Sequence, residues 1–128
     1  MEFPSHLRYT VHDEWVSVDG DLVTIGITAF AQDALGELVH VELPSVGATV
    51  AAGGAICEVE SVKAVAEVFT PVAGEIVEIN EALKDDPQLV NEDPHADGWL
   101  VKIKYSDSSD FDELMNVEEY EAFTKEGK

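Results

Sequence analysis

The chain is 128 residues long, enough to bury one real core and too short for two, so residues 1–128 are expected to form a single domain. Its 27 acids against 7 bases give a net charge of −20, which repels phosphate backbones and anionic lipid and so excludes nucleic acid and membrane surfaces as expected partners. The single cysteine, Cys57, cannot form an intramolecular disulfide, and the longest uncharged run, residues 43–57, is too short to span a bilayer and is broken by Pro44, Gly47, Gly53 and Gly54.

Met1-Glu2-Phe3-Pro4 lacks the basic start and apolar run of a signal peptide, and no Arg-rich transit sequence is visible. The expected location is therefore the bacterial cytoplasm, or the mitochondrial matrix if the chain is a processed form. A hydrophobic fraction of 45% argues for a folded chain despite the charge. Steering toward basic protein surfaces and simple solubility both stay open as uses of that charge.

Trp15 to Val18 and Leu22 to Ile27 are apolar, β-branched runs joined by Asp19-Gly20-Asp21, which predicts a first hairpin. Thr28 is placed to cap a short helix from Ala29 to Leu35, with Gly36 stopping it. Leu38 to Leu43 then alternates, which would put Val39, Val41 and Leu43 on one face and His40 and Glu42 on the other. Val50, Ala55 to Glu60 and Ala64 to Phe69 supply further strands around a Gly53-Gly54 turn, with Pro71 ending the last.

Asn80 to Leu83 reads as a capped helical turn, whereas Asp85-Asp86-Pro87 and Asn91 to Gly98 read as loop. Trp99 to Lys104 alternates as a closing strand, and Ser106 to Ser109 is a break. Phe111 to Met115 and Val117 to Phe123 are expected as two short helices, the second opened by the capping-box pair Asn116 and Glu119. Val117, Tyr120 and Phe123 form an apolar stripe for docking on the sheet, and residues 124–128 are expected to fray.

A short internal echo stands out: Gly36-Glu37-Leu38-Val39-His40-Val41 recurs as Gly74-Glu75-Ile76-Val77-Glu78-Ile79. Lys63 falls between the copies. It is the only Lys or Arg between Arg8 and Lys84, an interval that holds thirteen carboxylates, and strand-like runs on either side place it at or beside a hairpin tip. A Schiff-base or nucleophilic lysine needs an apolar pocket or a neighbouring cation, yet Glu60 and Glu67 lie close in sequence and favour the ammonium. A lone lysine on a tight turn is better suited to modification by another enzyme and to carrying what is attached.

The other chemistry-bearing residues point elsewhere. Cys57 sits in an apolar strand and reads as core. His6, His12, His40 and His95 show no metal-ligand spacing, so no metal is expected. No phosphate loop or nucleophile elbow is present, and no catalytic residue is assigned.

Glu58-Val59-Glu60-Ser61-Val62-Lys63-Ala64, taken with Gly26-Ile27-Thr28, Ala31-Gln32 and Leu35-Gly36-Glu37, resembles the H protein of the glycine cleavage system. His12 to Val16, Val41 to Pro44, Leu89-Val90-Asn91 and Gly98-Trp99-Leu100 match as well, in order and spacing, from about Leu7 to Phe123. Biotin carriers usually flank the lysine with methionines, where this chain has Val62 and Ala64. Lipoyl domains of 2-oxo-acid dehydrogenases usually have an acid at the position of Val62 and lack the Gly26-to-Gly36 segment.

The resemblance implies an all-β fold, a lipoyl/biotinyl-like hybrid of barrel and sandwich with short flanking helices. It implies lipoic acid in amide linkage to Lys63 and a non-catalytic carrier, expected as a monomer. Such a carrier would be loaded by a lipoyl-attaching enzyme and would take an aminomethyl group from a pyridoxal-phosphate glycine decarboxylase. It would deliver that group to a tetrahydrofolate-dependent aminomethyltransferase and be reoxidised by FAD-containing dihydrolipoamide dehydrogenase. In that family the acids matching Glu14 and Glu67 line a cleft for the loaded arm, and a histidine often stands where this chain has Ala34, leaving His12 or no residue in its place. A lipoyl donor for relay outside glycine cleavage would need the same lysine, and a Schiff-base enzyme is the third reading.

Overall fold

In a computed structural model, residues 3–125 are described. Nine strands and four short helices follow one another as β1 (Arg8–Tyr9), β2 (Glu14–Asp19), β3 (Leu22–Ile27), α1 (Ala29–Leu35), β4 (Leu38–Glu42), β5 (Thr49–Val50), β6 (Ala55–Ser61), β7 (Val65–Phe69), β8 (Gly74–Ile79), α2 (Ala82–Asp85), α3 (Leu89–Glu92), β9 (Val101–Tyr105) and α4 (Val117–Lys125). A 3-10 turn, Ser108–Phe111, precedes α4. The strands form a six-stranded sheet in the order β1-β2-β3-β9-β8-β5 and a three-stranded sheet β4-β6-β7. Every pairing is antiparallel.

Each sheet turns its apolar residues toward the other. Val16, Val23, Ile25, Ile76, Val101 and Ile103 from the larger sheet meet Val41, Ile56, Val59 and Val68 from the smaller one in a continuous buried cluster. A second cluster of Leu7, Tyr9, Trp15 and Tyr120 holds α4 against β1. Tyr120 stacks on Tyr9 with ring centroids 4.7 Å apart, and Val117 and Phe123 pack beside it, so the apolar stripe of α4 docks as expected.

The local signals work as read. Thr28 Oγ1 accepts the Ala31 N–H, and Gly36, at φ 85°, ends α1 in a conformation that L-residues rarely adopt. Asn116 and Glu119 close a reciprocal capping box, with the Asn116 N–H on Glu119 Oε1 and the Glu119 N–H on Asn116 Oδ1. The first hairpin pairs Asp19 with Leu22 across Gly20-Asp21, Gly20 supplying φ 63°.

The internal echo proves structural. Both copies form strands, one in each sheet, and both carry a register shift at the equivalent step, Leu38/His40 in one and Ile76/Glu78 in the other. Val39 and Val77 are the extra residues. This bulge also overturns the simple alternation expected for β4: Leu38 and Val41 are buried, whereas Val39 is 46% exposed. One inserted residue moves the following side chains to the opposite face, which a period-two reading cannot anticipate.

Other differences have similar causes. Residues 89–92 form a helix where the sequence from Asn91 reads as loop, because Val90 is drawn fully into the core. Asn80 does not cap α2; its amide donates to the carbonyls of Asp97 and Trp99. The closing strand begins at Val101 rather than Trp99. Met115 lies in an isolated bridge with Tyr9, so no helix extends from Phe111 to Met115. Thr124 and Lys125 belong to α4, and residues 126–128 of the expected frayed tail lie outside the described residues.

Candidate carrier site

Lys63 is exposed in the three-residue loop Val62-Lys63-Ala64 that joins β6 to β7. Ser61 shapes this loop. Its N–H donates to the Ala64 carbonyl at 2.7 Å, and its side-chain oxygen accepts the N–H groups of Lys63 at 3.2 Å and Ala64 at 3.0 Å. The loop is further fastened where the Val62 N–H meets the Glu37 carbonyl at 3.1 Å. The stem of Lys63 runs over Gly36, since a Cβ built on that glycine would lie 3.5 Å from Lys63 Cε and 4.0 Å from Nζ.

Among the described residues the ion pairs are Lys84–Glu81, Lys102–Glu78 and Lys104–Asp21, and none involves Lys63. Val62 and Val65 flank it at 68% and 58% exposure. The result is a solvent-facing primary amine on a short, hydrogen-bonded loop, with no ion-pair partner among the described residues. Its chemistry fits an acyl group added through an amide, because the amine is accessible and its removal as a charge breaks no ion pair.

A cleft of about 740 Å³ opens between the two sheets and the turn that leads to α4. Thr10, His12, Glu14, Phe69, Asp112 and Glu113 are among the residues lining it. Glu14 forms its buried wall at 2% exposure, with Oε1 accepting the Thr10 hydroxyl at 2.6 Å and Oε2 accepting the Phe69 N–H at 3.0 Å. Burial raises the Glu14 pKa above the ordinary carboxylate range, opposed by those two hydrogen bonds and by nearby His12. A buried acid with neutral hydrogen-bond donors and no ion pair among the described residues is costly to keep and marks a candidate functional group.

Glu67 is placed differently from Glu14. It is exposed on β7, directly opposite Glu58, and borders a shallow depression with Glu42, Leu43 and Pro44. Val65, Glu67 and Phe69 alternate onto one face of β7, so Glu67 lies between the Lys63 loop and the cleft rather than in its wall. Ala34 is exposed on α1 and does not line the cleft; His12 does, with its ring tilted over Phe69 at a centroid distance of 5.2 Å.

Thr10, the Phe69 N–H and Ser61 belong to the site but were not singled out by sequence pattern. Only Ser61 had a readable signal, a turn-forming serine two residues before the lone lysine. Cys57 is buried, and burial pushes its thiol up to about 12, which suits core rather than chemistry. No group of three or more His, Cys, Asp or Glu residues among those described is arranged to hold a metal ion. No helix among them is long and apolar enough to cross a membrane.

Two antiparallel sheets of quasi-equivalent halves, with a lone lysine on a hairpin loop, define a carrier domain of the lipoyl type. The comparisons agree. The model of the family described as glycine cleavage H-protein matches residues 7–127. The glycine cleavage system H protein of Geobacillus kaustophilus is 50% identical over 127 residues, covering 99% of this chain and 100% of that one. The H protein of Bacteroides thetaiotaomicron is 47% identical over 122 residues, covering 95% and 97% respectively. The crystal structure of a glycine cleavage system H protein from Mycobacterium marinum superposes with a TM-score of 0.88 at 40% identity, covering 96% of this chain and 99% of that one. The chain belongs to the glycine cleavage H-protein family, and its fold is the mainly β barrel-sandwich hybrid of that family.

Proposed function

We propose that this chain is the lipoate-bearing carrier of glycine cleavage, a single domain with Lys63 as the attachment point. The observation that carries the reading is the exposed Lys63 amine, which forms no ion pair among the described residues, on a loop fixed by Ser61. When attached, lipoate supplies a dithiolane that accepts a one-carbon unit bearing an amine and stores a pair of electrons.

The chain's own residues do the rest. Lys63 is the tether, and a long flexible arm from it keeps the cargo at high effective concentration near each partner's active site. Glu14 presents its carboxylate on the cleft wall, where it would hold the arm's ammonium while Phe69 and Leu114 exclude water. Glu67 would meet the arm on its approach along β7.

The chain performs no catalysis itself. Its partners in this reading are a pyridoxal-phosphate glycine decarboxylase, a tetrahydrofolate-dependent aminomethyltransferase, dihydrolipoamide dehydrogenase with FAD, and a lipoyl-attaching enzyme. It works as a cytoplasmic monomer.

The test is Lys63→Arg, because a guanidinium cannot be acylated in the same way. The variant should fold normally and gain no lipoyl mass in a lipoylating host, while the parent gains one lipoyl group that maps to Lys63. Glycine decarboxylation with partner enzymes should vanish with it. Lipoylation or activity retained by Lys63→Arg would remove the proposal.

A further inference from the structure

The Lys63 loop does not stand alone: it rests on the Gly36-Glu37 turn, and that turn is held by a residue far away in sequence. Asn91, on α3, donates from Nδ2 to the Gly36 carbonyl at 2.8 Å and to Gln32 Oε1 at 3.0 Å, and accepts the Leu38 N–H on Oδ1 at 2.9 Å. One carboxamide therefore brackets three successive residues, Gly36, Glu37 and Leu38. Between its two anchor points the Glu37 carbonyl projects to the Val62 N–H, one residue before the lysine.

We infer that Asn91 is a positioning residue for the modification of Lys63, acting through the Gly36–Leu38 turn, an inference that rests on Lys63 being the attachment point. Three features make the link specific. Asn91 uses both amide protons and its oxygen, so neither an apolar side chain nor a carboxylate reproduces the set. The adjacent Val90 is fully buried, which ties α3 to the core between the sheets and gives Asn91 a rigid base. Gly36 has φ 85° and no Cβ, so the turn can take this shape and leave a bare surface for the lysine stem.

The consequence is pre-organisation. A modifying enzyme joins Lys63 Nζ to an activated lipoyl carboxyl; the amide forms, the amine loses its protons, and the activating nucleotide leaves. The enzyme must capture a short loop in one orientation. If the turn beneath it loosens, a smaller fraction of chains presents the lysine correctly, and the apparent affinity falls by that fraction.

The experiment follows lipoylation of the full unmodified chain by a lipoate–protein ligase with lipoate and ATP, varying chain concentration to separate KM from kcat. Asn91→Ala should raise KM about fivefold or more, on the scale of losing one well-made hydrogen bond, with kcat little changed. Asn91→Asp keeps the acceptor for Leu38 but loses both donors and sets a carboxylate oxygen against the Gly36 carbonyl and Gln32 Oε1, so it should raise KM at least as much as Ala. In parallel, amide exchange at Val62 should quicken in both variants, which reports the turn itself rather than global stability.

If Asn91→Ala does not fold, the same comparison is made with Asn91→Asp and with Gln32→Ala, which removes one partner of the carboxamide. Unchanged KM in folded variants whose Val62 amide exchanges faster would overturn the inference and leave the carrier reading intact. Unchanged Val62 exchange would overturn it as well. A parent chain that takes up no lipoate at Lys63 would instead defeat the carrier reading on which the inference stands.

Discussion

Glu14 Oε2 accepts the backbone N–H of Phe69 at 3.0 Å, joining β2 of the six-stranded sheet to β7 of the three-stranded one across 55 residues of sequence. The bond ties the end of β7 to a buried carboxylate at the back of the cleft. Structure and proposed function meet in this one contact.

That carboxylate makes stability depend on pH with a definite sign. The folded-state pKa of Glu14 is raised above its ordinary 4.5, chiefly by burial. Stability linked to this group is present below the unfolded value and is lost as pH rises through the raised folded value. Urea unfolding of the parent and Glu14→Gln should therefore diverge between about pH 4 and pH 7, the parent losing ground as pH rises. A constant difference over that range would mean the carboxyl titrates as it does in the unfolded chain.

The same variant tests shelter of the cargo. A charge-assisted hydrogen bond from an ammonium to Glu14 is worth about 1.5 to 3 kcal/mol, so lipoylated, methylamine-loaded Glu14→Gln should release ammonia and formaldehyde roughly ten to a hundred times faster without partners. Glu67→Gln, altered outside the cleft wall, should show a smaller acceleration. Breakdown at the parental rate in both, with loading intact, would make these carboxylates ordinary surface and core acids.

Tyr120 joins α4 to the start of α1. Its hydroxyl donates to Asp13 Oδ1 at 2.8 Å and lies 2.8 Å from Thr28 Oγ1, the capping oxygen of α1. Tyr120→Phe keeps the stack on Tyr9 and removes both bonds from a buried site, so it should cost about 1 to 3 kcal/mol in urea unfolding. A loss below about 0.5 kcal/mol would show that stacking alone holds α4.

His95 adds a second pH dependence. Its Nε2 accepts the Ala29 N–H at 3.1 Å, which requires the neutral ring. Burial lowers its pKa below the ordinary 6.5, with Asp93 opposing and His6 reinforcing the shift. The linked stability is present above the unfolded value and lost as pH falls toward the lowered folded one. His95→Gln, whose amide oxygen accepts the same N–H without titrating, should lose less stability than the parent between about pH 7 and pH 5. Parallel curves would show that His95 binds its proton alike in both states.

The sequence by itself determined the caps and turns whose cause lies within a few residues. Thr28 and Gly36 set both ends of α1, Asn116 and Glu119 set the start of α4, and Gly20 set the first hairpin, because caps and turns act over one to four positions. The lone Lys63 between two echoing segments was legible for the same reason, as was its resemblance to one family. Tertiary structure alone decided the bulges that turn Val39 outward, the entry of Val90 into the core, and the partners of Glu14, Asn91 and His95. The bonds from Phe69 to Glu14, Leu38 to Asn91 and Ala29 to His95 join residues more than fifty positions apart, so no spacing in the chain records them. Glu14 and Glu67 look alike as letters, and only the packing of two sheets buries one in a cleft wall and leaves the other on an open strand, since burial is a property of what the rest of the chain brings alongside.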